Sequence, residues 1–174
     1  MATRKSEKKR DVVDVLISEW ENELPDLDFS GFAVFGRLHR GYHRYAALID
    51  EVFDRYGINT ASFTVLAALR RGGPPYRRTA GDLANIGLVT TGGLTLRLDR
   101  LEEAGLIARE RDTADRRVVY ARLTEAGVTL INQVVREHFA NEVRMLSGLT
   151  GPERRQLADL LGKLECSLEA AERD

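Results

Sequence analysis

Apolar residues recur at three- and four-residue steps through most of this chain, the spacing of amphipathic helices. Val12, Val13, Leu16, Ile17 and Trp20 predict a short helix ending before Pro25. Phe32, Phe35, Leu38, Tyr42, Tyr45, Ile49, Val52, Phe53 and Tyr56 predict a long second helix closed by Gly57, its aromatic stripe divided between a core and a dimer seam. A capping region at Asn59-Thr60 opens a third helix through Phe63, Leu66 and Leu69, which stops near Gly72-Gly73-Pro74-Pro75.

The pattern then shortens. Thr79 is placed to cap a short helix containing Leu83, Ala84 and Ile86, Gly87-Leu88-Val89 reads as a tight turn, and Thr90 is placed to cap a helix running through Leu94, Leu98 and Leu101 to Gly105. That order is helix, turn, helix. Two β-prone stretches follow, Leu106 to Arg109 and Val118 to Leu123, separated by the polar run Glu110 to Arg117, and they read as a hairpin wing. Thr124 starts another helix, burying Leu130, Ile131, Val134, Val135, Phe139, Val143 and Leu146. Thr150-Gly151-Pro152-Glu153 combines a capping box with an early Pro to open a last helix through Leu157, Leu160, Leu161, Leu164 and Leu168.

The fold class that results is mainly α with a small β-wing, a winged helix-turn-helix dimerised through N- and C-terminal helices. The segments are a basic tail at 1–10, dimerisation helices at 11–56, the DNA-binding module at 60–124 and dimerisation helices at 125–174. At 174 residues the chain suits one folding unit with helical extensions. Those extensions carry more apolar face than a small winged domain covers, so a second copy is the expected partner. A two-fold pair would present two modules about 34–36 Å apart, one DNA turn.

Charge changes this picture once it is divided along the chain. The total is −1, yet residues 70–122 hold eleven Arg against seven acidic residues, and residues 1–10 hold five Lys or Arg against Glu7 alone. A cationic face toward phosphate on an acidic, soluble remainder fits that asymmetry. Bland surface charge is the other reading. No apolar run nears the roughly 18 residues of a membrane span, and the basic N-terminus lacks the apolar stretch of a secretory signal. Cytoplasm is the expected location, and Cys166, the single cysteine, permits no internal disulfide.

The stretch TAGDLANIGLVTTGGLTLRLDRLEEAGLIARERDTADRRVVYARLTEAG, Thr79 to Gly127, resembles the MarR family of winged helix-turn-helix regulators, and the likeness extends over about residues 30–170. Thr91 to Leu101 is similar to that family's recognition helix. Asp115-Arg116-Arg117 before Leu123-Thr124 is similar to its wing. The resemblance implies a non-enzymatic regulator, most commonly a repressor, that binds a pseudo-palindromic operator and is released by a small phenolic or anionic ligand.

On that basis Thr90, Thr91, Gly92, Gly93, Thr95, Leu96, Arg97 and Arg100 are the candidate contacts of the recognition helix. Small residues admit the backbone to the major groove, and Thr91 or Thr95 offers a hydroxyl or a methyl. Alternatively, Gly92 and Gly93 only loosen the helix, by about 1 kcal/mol each relative to Ala. Leu96 stands where relatives often carry Lys or Arg. Arg116 at the wing tip is the candidate minor-groove contact. Asp115 and Arg117 are expected to brace the hairpin through an ion pair with Arg109 or Arg97, with Arg117 also counted among the DNA-facing cations. Arg77 and Arg78 are candidate phosphate clamps.

For a ligand, Trp20 on an N-terminal helix, with Arg97 and Arg109, resembles the urate-responsive branch. Where that branch carries an acidic residue beside an aromatic, Thr64 follows Phe63. Trp20 otherwise packs an amphipathic helix. Other classes remain beside the regulator. His39 and His43, four apart, could share a metal, but no Cys or carboxylate completes a site, so no metal and no cofactor is expected. Cys166 could make a redox sensor, although a Cys on a leucine-rich helix is usually just buried. Sequence-independent architectural binding is disfavoured by the −1 total.

Overall fold

A computed structural model describes residues 10–85 and 91–173. The predicted cap Thr90, the turn Gly87-Leu88-Val89, Ile86 and most of the basic tail lie outside the described residues. The elements run α1 (Val12–Glu23), α2 (Ser30–Asp54), α3 (Thr60–Arg71), β1 (Arg77–Thr79), α4 (Ala80–Asn85), α5 (Thr91–Glu103), β2 (Ile107–Arg111), β3 (Val119–Leu123), α6 (Glu125–Met145) and α7 (Gly151–Ala171). Two compact units form where one was expected, one ending at Glu51 and the other beginning at Val52.

The first unit is local in sequence. Asp11 caps α1 through a reciprocal box with Asp14, and both carboxylates accept hydrogen bonds from Arg37 of α2 at 2.6–3.1 Å. Val13 is buried where Gly36 lets the two helices approach; a Cβ at Gly36 would stand 3.3 Å from Val13 Cγ1.

The second unit has the longer-range core. α2 ends two residues earlier than the hydrophobic pattern suggested, because Gly57 takes φ +66° and the Ile58 N–H reaches back to the Phe53 carbonyl at 3.2 Å. The same closure ends α5: Gly105 takes φ +69° and Leu106 N–H bonds the Leu101 carbonyl at 2.9 Å. Phe53 at the end of α2 is buried with Leu66 and Leu69 of α3, Leu98 of α5, Ile107 and Leu123 of the sheet, and Ile131 and Val134 of α6. α6 therefore packs directly on α3 and β3 of the winged module.

β2 continues two residues past the predicted Arg109, to Arg111, β3 begins one residue late at Val119, and a third strand precedes the hairpin. β1 pairs antiparallel with β3, Arg78 facing Ala121, to give the sheet order β1-β3-β2. Three residues reading Arg-Arg-Thr carry no alternation that would mark a strand.

α6 is seated by two short-side-chain devices. Thr124 caps it, accepting from Gly127 N–H at 3.0 Å while donating its hydroxyl to the Gly105 carbonyl at 2.7 Å. Gly127 then lies against the start of β2 so closely that an added Cβ would fall 2.0 Å from the Leu106 carbonyl oxygen. α7 opens with the predicted Thr150–Glu153 box and Pro152, yet none of its residues is buried. Cys166, expected to be covered, is exposed accordingly.

Candidate nucleic-acid interface

α5 is anchored along one side. Leu94, Leu98 and Leu101 are each no more than 5% exposed, while Thr95, Leu96 and Arg100 are exposed. Thr91 begins the helix and Gly92 follows it. Arg97 is half-buried and lies back along the helix, its guanidinium 3.6 Å from where a Cβ of Gly93 would sit. α4 is set in front of α5 by a box in which Thr79 Oγ1 accepts from Asp82 N–H and Asp82 Oδ2 accepts from Thr79 N–H, both at 3.1 Å. Hydrogen bonding to Thr79, side chain first, holds the Asp82 carboxyl below its ordinary value.

The wing turn is held by carboxylates. Asp112 Oδ1 accepts from the N–H groups of Ala114 at 2.8 Å and Asp115 at 3.0 Å. Asp115 accepts from the Arg117 N–H and guanidinium at 3.0 Å, and this pairing lowers its pKa. The expected partner of Asp115 was Arg109 or Arg97. Arg109 instead spans to α5, bonding Asp99 at 2.6 Å and Glu102 at 2.9 Å, because both acidic groups sit one helical turn apart beside β2. Arg109 thus ties β2 to α5, and Arg117 ties to Asp115 at the tip of the hairpin. Between them Arg116 is exposed, with no hydrogen bond or ion pair to any described residue. Across the hairpin, Arg122 Nε donates to Glu110 at 2.5 Å.

The two candidate clamps divide. Arg77 is exposed with its guanidinium 4.4 Å above the Tyr120 ring. Arg78 is half-buried and turned onto the end of α3, donating to the Ala68 carbonyl at 3.1 Å and packing against Gly72. The acidic residues Asp99, Glu102 and Asp112 were not singled out from the sequence, and Glu110 appeared there only as the start of the polar run between the strands. Tyr76 was also missed. It takes φ +58°, uncommon for a bulky residue, under the guanidinium of Arg70 at 4.8 Å.

Of the candidate ligand residues, Thr64 lines a cavity of about 320 Å³ between α3 and α6 with Phe63, Arg70, Arg71, His138 and Phe139. Its walls include neither Arg97 nor Arg109. Trp20, on α1 of the first unit, is 49% exposed. His138 is buried, with Nε2 3.3 Å from Glu142, its Nδ1 unpartnered among the described residues and Phe63 4.8 Å from it, centre to centre. His39 and His43 stack edge to face at 4.4 Å.

A short helix, a longer helix seated beyond it and a braced hairpin with a third strand define the winged helix-turn-helix class. The MarR family profile matches residues 56–118. Over 153 residues the chain is 40% identical to the HTH-type transcriptional regulator PecS of Dickeya dadantii, covering 88% of this chain and 92% of that protein. It is similar in structure to a mutant MarR from E. coli complexed with operator DNA, at 26% identity and TM-score 0.67, covering 83% and 96% of the two chains. It is also similar to BpsR of Bordetella bronchiseptica, whose DNA binding is regulated by 6-hydroxynicotinic acid, at 28% identity and TM-score 0.66 over 76% and 98%. The chain belongs to the MarR family of transcriptional regulators.

Proposed function

We propose that this protein is a homodimeric, sequence-specific DNA-binding repressor of the cytoplasm, holding a pseudo-palindromic operator until a small anionic or phenolic ligand releases it. The observation that carries the reading is the seating of α5. Three buried leucines fix its inner side, which leaves Thr95, Leu96 and Arg100 outward beside a wing carrying the exposed Arg116. A rod so presented enters the major groove while a flexible cation at the wing enters the minor groove. The likeness to a MarR structure complexed with operator DNA supports this use of the surface.

Dimerisation rests on exposed apolar side chains that a single chain leaves in water. Phe32, Phe35, Leu38 and Tyr42 on α2, and Leu157, Leu160, Leu161 and Leu168 on α7, are all at least 38% exposed. A second copy of the chain covers them, as closed two-fold symmetry favours. The cavity between α3 and α6 suits the effector, since aromatic walls accept a planar ring and Arg71 accepts an anionic group. A ligand preferring the dimer geometry that does not bind DNA lowers DNA affinity by its differential affinity for the two states, and DNA opposes the ligand equally.

Selection of bound duplexes from a random pool, followed by competition with small aromatic acids and phenols, tests both halves. An enriched inverted repeat with half-sites about one turn apart, bound by a dimer, is the expected result. A monomer in light scattering, or binding no tighter to the selected duplex than to random DNA, refutes the reading.

A further inference from the structure

We infer that Leu96 is a specificity-determining residue that reads the methyl group of a thymine in each half-site; the inference rests on α5 being the helix that enters the major groove. Among the described residues of the winged module, 60–124, the exposed large apolar side chains are Leu96 at 54% and Val119 at 40%. The module otherwise sends its leucines, valines and isoleucines inward, so Leu96 stands apart from its own fold.

Its position follows from helical register. Leu94, Leu98 and Leu101 set the buried side, and at 100° per residue Leu96 lies roughly 180° from their mean direction. Arg100 is one turn further on the same side, and Gly92 and Gly93 are one turn earlier. Leu96 therefore occupies the middle of the outward face, and it cannot rotate inward without withdrawing the three leucines from the core. Two glycines beside it keep the N-terminal turn narrow, which lets the backbone and a branched side chain approach a groove floor. Arg100, charged and exposed, suits the phosphate at the groove edge.

The chemistry selects the base. The major-groove edges of guanine, cytosine and adenine present acceptors and amino donors, and an isobutyl group can satisfy none of them while displacing their water. The thymine C5-methyl is the apolar group the groove offers, and removing it from water against Leu96 favours binding. A cationic residue at this position would reward guanine or phosphate; a leucine rewards thymine and penalises the rest.

The test uses the full-length protein and the operator selected from a random pool. Each thymine is replaced in turn by deoxyuridine in both half-sites, which deletes one methyl and keeps every hydrogen-bonding atom. The expected result for the unaltered protein is one sensitive position, losing about fourfold in affinity per half-site. Leu96→Ala should bind the thymine and uracil operators equally, with an unchanged melting temperature and an unchanged dimer, because the side chain is exposed. Equal uracil sensitivity in wild type and Leu96→Ala, no sensitive position at all, or a Leu96→Ala protein altered in oligomeric state overturns the inference and leaves the regulator reading standing. Failure to enrich any sequence overturns both.

Discussion

Gly127→Ala tests how the helix that leaves the wing is attached to it. A Cβ at this position would lie 2.0 Å from the Leu106 carbonyl oxygen and 3.0 Å from its carbon, so the added methyl meets backbone and no flexible side chain can give way. To reach ordinary contact the first turn of α6 and the start of β2 must separate by roughly 1 Å or more, an overpacking strain of about 1–3 kcal/mol. That separation also breaks the Thr124 N–H bond to Leu106 at 3.1 Å and its hydroxyl bond to Gly105 at 2.7 Å, each worth about 1 kcal/mol. Alanine returns about 1 kcal/mol of helix propensity, which leaves a net loss of about 2–4 kcal/mol. For a chain of this size each kcal/mol lowers the melting temperature by about 2–4 °C, so a fall of about 4–16 °C is expected at fixed protein concentration. Circular dichroism melts and guanidinium titrations read it directly. Gly148→Ala is the control, because an added Cβ there meets nothing within 4 Å. If Gly127→Ala melts within about 1 °C of wild type while keeping its m-value, the close approach of α6 to β2 is not what seats the helix, and the reasoning fails.

Other measurements reach the DNA surface and its supports. Arg116→Ala should weaken operator binding and lower the slope of log affinity against log salt by about 0.9 for each phosphate that Arg116 neutralises; an unchanged slope in an anisotropy titration removes Arg116 from the interface. Arg109→Met unties the wing from Asp99 and Glu102 and should cost about 0.2–1 kcal/mol of stability per ion pair while raising hydrogen exchange in β2; wing amides protected as in wild type would show that the brace is idle. Arg71→Ala should raise the concentration of benzoate needed to release DNA by about tenfold without altering DNA affinity itself, and equal release would exclude Arg71 from the effector site. Because Thr79 holds the Asp82 carboxyl below its ordinary value, the folded state gains stability that is present above the unfolded pKa and is lost as pH falls through the depressed folded one. Melts below pH 5 should therefore drop less steeply for Asp82→Asn than for wild type, and parallel curves would contradict the linkage.

Much of the architecture is written locally, and there the sequence sufficed. The three-and-four spacing of leucines, the caps at Asn59, Thr124 and Thr150, and the glycines at 57 and 105 each act within a few residues, so α3, α5, α6 and α7 were legible to within a turn. The outward face of α5 was legible for the same reason, since Leu94, Leu98 and Leu101 name its inner side and leave Thr95, Leu96 and Arg100 opposite. What tertiary structure alone decided is which charge meets which. A carboxylate on α5 and an arginine on β2 attract over a few ångströms, and that distance follows from how the hairpin folds back, so Arg109 found Asp99 and Glu102 while Asp115 kept Arg117. Arg77 and Arg78, adjacent and chemically identical, were separated only by strand pairing: alternate residues of β1 face opposite ways, which leaves one exposed over Tyr120 and ties the other to the end of α3.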